Sequence, residues 1–561
     1  MAATPIRETT GLVVVLFVVL AAVPPAVAVD TADPATVAFE QTSYETERGD
    51  LARLSVNFAE TRSGTLTIVA PDGDTANVTV SDGNRDWQAT LLLNTYARGP
   101  DGRFGTPNDA DYTYVHDAFD ESGRLPAGEY EVRLRAGYGM NSPVVATVPL
   151  RVREPAAPNV SVAVAPEGAY DDLSSPTAIR SGPVTSRGTV AVNDTLVLRL
   201  NASGIEGALA VQEGSTPTER FESLLAEPGY GLAAVQTNPG PSYPGKYLRL
   251  FGPGTRFVGD AVNDSYYVVV DTARVETYLR HSDDVTAPPF RADDRYRVNA
   301  TTSNRTATDR FVVVEREVSF VSPPATRFVR PAANQSVWFT SSLAPGSALT
   351  VVAEPTNNST TRSTVRTSVR TTSGRFAATL DANEFAENTT LNVSAVDDGR
   401  VLAHANVSVE TPEATLDVTE VTNGSAAEVA FEADVSHPSV VVAHRGDASG
   451  AVLGSAAVFP DDDGDTVPFE PTWSGRSTVT LVAYADVDSD GTFDPAVDVR
   501  YPSDSAVART VVSSTVATTT TERTTTRPTT SEPVPGFGVG AALVALLGVL
   551  VATLVGAHRE K

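Results

Sequence analysis

The sequence predicts an all-β protein built as tandem β-sandwich (Ig-like) domains, and three observations carry that expectation. Apolar and polar residues alternate with period two: Tyr130, Val132 and Leu134 are interleaved with Glu131, Arg133 and Arg135, and Leu391-Val393-Ala395 and Ala405-Val407-Val409 repeat the pattern. Gly, Pro, Asn and Asp punctuate these runs, with 40 Gly and 38 Pro in 561 residues. Helical periodicity is confined to two short stretches, Thr218 to Ala226 and Val115 to Phe119. Many short strands bounded by turn residues imply a series of sandwiches.

Pro and polar clusters divide the chain. Residues 29–154 form a first module that closes in the strand Val144 to Val152, before Pro155-Ala-Ala-Pro158. A larger second module, 155–317, has the core runs Thr195 to Leu200 and Tyr266 to Asp271. A third, 318–410, is rich in Thr and in glycosylation sequons, and a fourth, 411–512, opens with the strand Thr415 to Val421 and contains an Asp-rich loop.

Both ends read as envelope signals. In residues 1–28 a short n-region with Arg7 as its only basic side chain precedes the apolar stretch Gly11 to Val23. Ala26-Val27-Ala28 then fits the small-x-small site of a secretory signal peptide, so signal peptidase is expected to cut after Ala28. No twin-arginine pair is present, which points to a Sec-type route. Near the other end, 13 of the 22 residues in 513–534 are Ser or Thr, a composition that cannot build a core and reads as a solvated or glycosylated stalk. Pro535-Gly536-Phe537 follows, then 19 apolar residues from Val539 to Ala557, then His558-Arg559-Glu560-Lys561. At about 1.5 Å per residue that run makes a transmembrane helix of about 28 Å, and the basic end belongs on the cytoplasmic side.

This order of parts, 535–561 behind a Thr-rich stretch, resembles the PGF-type C-terminal sorting signal of haloarchaeal surface proteins. The resemblance implies that an archaeosortase processes the chain near Pro535, Gly536 and Phe537 and that a lipid anchor replaces the helix. The other reading is an ordinary single-pass anchor; both leave the modules outside the cell. The second module, with Gly204-Ile-Glu-Gly-Ala-Leu-Ala210 and Asn263 to Asp271, looks like a module of haloarchaeal S-layer-type glycoproteins. The fourth is similar to another domain of such surface proteins through Leu481-Val-Ala-Tyr-Ala-Asp-Val-Asp-Ser-Asp-Gly-Thr-Phe-Asp494.

Composition agrees with a halophilic, extracellular setting. The formal charge is −27 with a pI near 4.6, and 40 of the 42 basic residues are arginine. Carboxylates of that density keep a surface hydrated in high salt, and their repulsion is screened there, the Debye length being about 3 Å at 1 M. The same sign argues against nucleic acid as a partner. Cysteine is absent, which removes thiol catalysis and disulfide staples. Of 21 asparagines, 14 stand in Asn-x-Ser/Thr: Asn77, Asn159, Asn193, Asn201, Asn263, Asn299, Asn304, Asn334, Asn357, Asn358, Asn388, Asn392, Asn406 and Asn423. Chance would supply roughly 4, so N-glycosylation is expected, with Asn357 and Asn358 too crowded to be filled together.

The sharpest chemical pattern is Asp486-Val-Asp-Ser-Asp-Gly-Thr-Phe-Asp-Pro-Ala-Val-Asp498. Carboxylates at positions 1, 3, 5 and 9 and glycine at 6 repeat the first part of an EF-hand calcium loop. The departure is Val497 at position 12, where an EF-hand places a bidentate Glu. The expected ligands of a structural Ca2+ are Asp486, Asp488, Asp490, Asp494 and Asp498, with the Thr492 carbonyl as an addition; the competing reading is an Asp-rich hairpin turn. No other cofactor is required. The acidic turn Asp461 to Asp465 reads as solvated, and the long loop Gly99 to Gly123, with Asp101, Asp109, Asp111, His116, Asp117, Asp120 and Glu121, as either a surface loop or a calcium or lattice contact. Trp87, Trp338 and Trp473 read as core residues.

The six histidines form no His-Glu-x-x-His, and no Gly-x-Ser-x-Gly elbow or phosphate-binding glycine loop occurs, so no enzyme is expected. The function expected is that of a structural haloarchaeal surface glycoprotein, in or beside an S-layer and tethered at its C-terminus. Its partners would be the membrane, the two processing enzymes and copies of itself or other S-layer proteins. The alternative is a surface adhesin or ligand-binding receptor whose distal module, 29–154, captures a glycan or another cell.

Overall fold

The computed structural model describes residues 37–515 except 120–122, 242–243, 280–281, 287–288, 357–363 and 463. The expected signal peptide with Ala28, the Pro535-Gly536-Phe537 motif, the apolar run after it and the sequons Asn357 and Asn358 lie outside the described residues. Among the described residues no helix is long and apolar enough to cross a membrane. They are all-β apart from a few short helices, and they fall into two units. The first comprises Met1–Glu413, Val435–Ser439 and Tyr484–Pro502; the second Ala414–Asp434, Val440–Ala483 and the chain from Ser503.

The first unit contains three sandwiches. In the first, a four-stranded sheet (Val37–Phe39, Leu51–Phe58, Gln88–Asn94, Phe104–Gly105) faces a six-stranded one ordered Tyr44–Glu47, Val144–Arg153, Gly128–Ala136, Ser63–Val69, Thr75–Ser81, Tyr112–Asp117. Leu54, Val56, Leu66, Ile68, Leu91 and Val132 fill the space between them. The period-two reading holds here: Tyr130, Val132 and Leu134 are buried.

The second sandwich pairs a five-stranded sheet centred on Thr195–Asn201 and Ser265–Asp271 with a seven-stranded sheet centred on Arg295–Thr302 and Gly231–Gln236. The two central strands of the smaller sheet are buried on both faces. Leu196, Leu198, Val268 and Val270 enter the inter-sheet core, while Val197, Tyr267 and Val269 are covered by Leu173 and by Ile179 of the short helix Pro176–Ser181. That explains the unbroken apolar run from Tyr266 to Val270, since a strand covered on both sides has no reason to alternate. Helix Pro217–Ala226 begins at a capping box between Thr216 and Glu219 and lays Phe221 on Phe257 with ring centroids 4.1 Å apart. The third sandwich joins Val318–Phe320, Gln335–Ser341 and Phe376–Leu380 to a five-stranded sheet that includes Ala348–Pro355, Thr389–Asp397 and Arg400–Val409.

One topological detail recurs in all three. An early strand lies parallel to the last strand: Tyr44–Glu47 against Val144–Arg153, Thr189–Ala191 against Arg305–Val314, and Phe328–Val329 against Arg400–Val409. Among the described residues the other pairings within these sandwiches are antiparallel.

The second unit sets Ala414–Thr422, residues 427–434 and Asp465–Phe469 against a sheet containing Val452–Val458, residues 440–445, residues 474–483 and Val507–Thr515. Val429, Phe431, Val441, Val479 and Leu481 are fully or almost fully buried. The last strand runs through Thr515, so the first three residues of the segment read as a stalk are structured.

Two departures from the sequence reading concern helices. Val115 to Phe119, expected to be helical, belongs instead to and beyond the edge strand Tyr112–Asp117. Val115 and Phe119 mimic a helical i, i+4 pair only because that strand is exposed on both faces and no burial imposes alternation on it. Helices Pro176–Ser181 and Glu206–Ala210 are too short to show a period.

The sandwiches of the first unit are docked by buried polar contacts. Between the first and second, Asp50 accepts backbone N–H groups of Gly204 (2.7 Å) and Glu206 (2.9 Å), Asn94 donates to the Gly207 carbonyl (2.8 Å), and Arg53 pairs with Glu206. Gly49, at φ 110°, comes so close to Gly204 that a Cβ would sit 2.3 Å from its carbonyl oxygen, so the Gly204 to Ala210 motif serves this junction. Between the second and third, the Arg316 guanidinium, whose side chain is 3% exposed, meets Asp194 (2.8 Å), Asp397 (2.6 Å) and Glu167 (3.0 Å). The second oxygen of Asp194 accepts the Ala344 amide at 2.7 Å.

Two predictions follow from these junctions. Arg316→Ala strands a buried Asp194 carboxylate and should cost ~3–5 kcal/mol in denaturation at constant molar salt; adding Asp194→Asn should recover more than half of that loss. Burial, reinforced by the charges of Asp264 and Glu206, pushes the Asp50 carboxyl up to about 6, with the two backbone amides pulling the other way. A folded pKa above the unfolded one means that the native state holds the proton more tightly. Stability contributed at Asp50 should therefore be full below about pH 4 and decline by roughly 3 kcal/mol as pH rises to about 6. Wild-type melting temperatures at fixed salt should fall relative to those of Asp50→Asn as pH rises across that window, and the two should run parallel outside it.

Candidate metal centre

The Asp-rich run sits in a hairpin of the first unit. Tyr484 and Ala485 pair with Arg500 and Val499, so residues 486–498 leave and rejoin the sheet at neighbouring points. Ser489 and Gly491 adopt left-handed backbone, φ 53° and 73°. This turns the chain back until the amides of Asp490 (3.3 Å) and Gly491 (2.9 Å) donate to the two oxygens of Asp486. On the other limb the amides of Val497 (3.0 Å) and Asp498 (2.8 Å) both reach the Asp494 carbonyl, and the Asp494 amide donates to Asp498 Oδ2 (2.7 Å).

Asp486, Asp488 and Asp498 are thereby brought together, with one carboxylate oxygen from each lying within 4.8 Å of the others. Asp486 is 3% exposed and Asp498 8%, and the Asp488 side chain 3%. Asp488 Oδ1 and Asp498 Oδ1 are buried and accept no hydrogen bond. Burial, chiefly, and then the neighbouring charges of Asp486 and Asp488 push the Asp498 carboxyl up to about 7, against the pull of the Asp494 amide. Asp488 is raised by burial and by the adjoining Asp486 carboxylate, against the opposing charge of Arg375.

Asp490 and Asp494 stay outside this cluster. Asp490 accepts the Thr492 amide (2.8 Å) and hydroxyl, which lower its pKa, and Asp494 accepts the Ala496 amide (2.9 Å). Both lie instead near Arg375, at 4.0 and 3.7 Å, whose guanidinium is in direct contact with Asp488. Arg375 comes from the third sandwich, 113 positions away, and nothing local in the sequence marks it. Val497 is 4% exposed and, with Val487, Phe328 and Trp338, lines a cavity of about 160 Å³. The hydroxyl of Thr326 donates to the Val487 carbonyl at 2.9 Å. Position 12 of the loop is thus an apolar anchor, and the acid has moved one residue on, to Asp498.

The other acidic stretches differ. Asp461 and Asp462 are exposed, and Asp462 accepts the Phe459 amide. Of the stretch 99–123, Asp101, Asp109 and Asp117 are exposed, Asp111 is buried and accepts the Gly83 amide (3.1 Å), and Asp120 and Glu121 lie outside the described residues. That stretch is not one loop, for it contains the strands Phe104–Gly105 and Tyr112–Asp117. A second acidic group that the sequence did not suggest, Glu47, Asp50 and Asp264, gathers at the junction of the first two sandwiches. Trp473 is buried beside Phe469, Trp338 is half-buried, and Trp87 is 44% exposed under the Arg62 guanidinium, so the core reading fails for Trp87. Trp87 sits at φ 68°, where the turn before strand Gln88–Asn94 points its ring outward.

Residues 29–137 match a domain of unknown function (DUF7827), which falls on the first sandwich. The chain is 29% identical over 66% of its length to a cell surface glycoprotein of Haloferax gibbonsii, covering 44% of that relative. It is 25% identical to cell surface glycoprotein 1 and 24% identical to cell surface glycoprotein 2 of Haloarcula hispanica, over 76% and 74% of its length and 51% and 50% of theirs. It therefore spans about half the length of the curated relatives it matches. Titin domains A168–A170 align at 10% identity over 67% of this chain and 99% of theirs with a TM-score of 0.20. The BSP domain of a biofilm associated protein aligns at 10% identity over 86% and 97% with a TM-score of 0.15. At such scores the likeness carries no argument, and the all-β class rests on the strands. The resemblance to haloarchaeal surface glycoproteins drawn from the sequence is met by the three relatives.

Proposed function

We propose that this chain is a structural glycoprotein of a haloarchaeal cell surface, within or attached to an S-layer, exported by its N-terminal signal peptide and tethered by its C-terminus. The observation that carries the reading is identity of 24–29% with three haloarchaeal cell surface glycoproteins over 66–76% of the chain. Its place is the extracellular face of the cell. The Thr-rich segment holds the sandwiches clear of the membrane, archaeosortase acts near Pro535-Gly536-Phe537, and a lipid takes over the role of the apolar helix.

Sugar attachment is supported by where the sequons fall. None of the 12 described sequon asparagines is buried: Asn159, Asn263, Asn304, Asn334, Asn388, Asn392, Asn406 and Asn423 are exposed, and Asn77, Asn193, Asn201 and Asn299 half-buried. Four of them, Asn193, Asn304, Asn334 and Asn388, have left-handed backbone at φ 57–73°, a conformation that favours Asn by itself. Turn chemistry accounts for the Asn at those four positions but not for the Ser or Thr two residues on. Two pairs are directly opposed across strands, Asn392 with Asn406 and Asn159 with Asn201.

A second reading, the adhesin, is favoured by one feature of the first sandwich. Tyr112 (59% exposed), Tyr114 (52%) and Tyr138 (60%) stand on its surface, and the rings of Tyr114, His116 and Tyr138 lie 4.9–5.4 Å apart. Such a bare aromatic cluster suits the flat apolar face of a sugar ring.

The chain, expressed with its own signals in a haloarchaeal host, decides between these. The structural role predicts surface-exposed, glycosylated protein that forms ordered sheets in high salt with calcium or magnesium and disperses on chelation. A chain that stays monomeric at every cation level overturns self-assembly, and cell or glycan binding lost on Tyr114→Ala plus Tyr138→Ala would establish the adhesin. Opposed residues have Cβ atoms only about 5 Å apart, so glycopeptide mass spectrometry should find one glycan per molecule in each opposed pair and not two.

A further inference from the structure

We infer that Asp486, Asp488 and Asp498 form a calcium site that fastens the hairpin 486–498 to the third sandwich, a claim independent of what the chain does at the cell surface. Three carboxylates with oxygens within 4.8 Å of one another can share one ion at about 2.4 Å from each. Convergence of acids alone would not suffice, and the second observation is the state of their oxygens. Backbone amides satisfy both oxygens of Asp486 and Asp498 Oδ2, and Arg375 engages Asp488 Oδ2, yet Asp488 Oδ1 and Asp498 Oδ1 are sealed from solvent with no donor. Buried polar atoms in native proteins are partnered as a rule, and an oxygen left bare inside an acidic cluster calls for a cation.

The group Glu47, Asp50 and Asp264 provides the contrast. It is as closely gathered, but both oxygens of its buried member, Asp50, already accept the amides of Gly204 and Glu206. That cluster is a docking contact, whereas the hairpin cluster has two acceptors to spare.

The chemistry selects the ion. The donors are carboxylate oxygens without His or Cys, which suits a hard cation. Magnesium dehydrates reluctantly and keeps several waters, whereas Asp486, Asp498 and the Asp488 side chain are buried, which favours calcium. Direct coordination also survives molar salt, where the Debye length is about 3 Å and exposed ion pairs are screened.

Bound there, calcium joins the two limbs of the hairpin, since Asp486 and Asp488 stand at its start and Asp498 at its end. Thr326 and Arg375 hold the same hairpin to the third sandwich. The ion thus completes a fastening that the protein groups begin.

The test uses the full chain from its haloarchaeal host, stripped with chelator in molar NaCl and titrated calorimetrically with CaCl2. The expected result is one equivalent bound at about 10⁻⁴–10⁻³ M, lost in Asp488→Asn/Asp498→Asn and kept in a control, Asp461→Asn/Asp462→Asn. Calcium should raise the melting temperature of the wild type and the control but not of the pair variant. The pair variant removes like charges and is expected to fold without calcium. If it does not, Asp488→Asn alone serves, with calcium affinity reduced tenfold or more. Equal calcium uptake and equal thermal response in wild type and variant would overturn the site.

Discussion

The arrangement of the first unit depends on a charge that is hidden from the solvent. Arg316 leaves the last strand of the second sandwich and ends among Asp194, Asp397 and Glu167, two of them from the second sandwich and one from the third. An exposed pair would contribute little in water and less in brine. With its side chain 3% exposed, Arg316 has no ionic atmosphere to screen it, and its removal would leave the 1% exposed Asp194 carboxylate where water cannot reach it. The Asp50 junction works in the same way, with backbone amides in place of the guanidinium. A chain with a net charge of −27 thus relies on a few sheltered contacts inside.

The bias toward arginine has a physical reading in the same terms. Guanidinium groups lie over aromatic rings at several places: Arg124 over Tyr96 at 3.9 Å, Arg62 over Trp87 at 4.5 Å, Arg256 over Tyr170 at 4.6 Å and Arg445 over Trp473 at 4.9 Å. A planar, weakly hydrated cation can stack in this way, whereas a lysine ammonium keeps its water. Lys246 is instead enclosed, its Nζ 2.6 Å from Asp294 and 2.6 Å from the Pro289 carbonyl, in a place suited to a compact point charge.

Strands with one buried face were legible in the sequence, because burial itself writes the alternation; Gly128–Ala136, Thr389–Asp397 and Arg400–Val409 are of this kind. Where that cause is missing the signal fails, as in Tyr112–Asp117, exposed on both faces. The site was half legible. Asp486, Asp488 and Asp498 converge as the loop pattern suggested, but Asp490 and Asp494 are occupied with the amides of their own turns. Local spacing can show which side chains alternate; it cannot show which of them a neighbouring amide will claim first. Arg375 and Thr326 are set by tertiary packing, and so is Val497, whose apolar character looked like a defect of the loop until the cavity it lines was seen.

The recurrent parallel pairing of an early strand with the last one has a mechanical consequence. Tension that enters a sandwich near its beginning and leaves at its end pulls those two strands past each other along their length. Tyr44–Glu47 against Val144–Arg153, Thr189–Ala191 against Arg305–Val314 and Phe328–Val329 against Arg400–Val409 would each be sheared, with all the hydrogen bonds of the pair loaded at once. Antiparallel hairpin ends, by contrast, peel open one bond at a time. A chain anchored at one end and dragged at the other by flow or by its neighbours would therefore meet its stiffest bonds at the same kind of pairing in each of the three sandwiches.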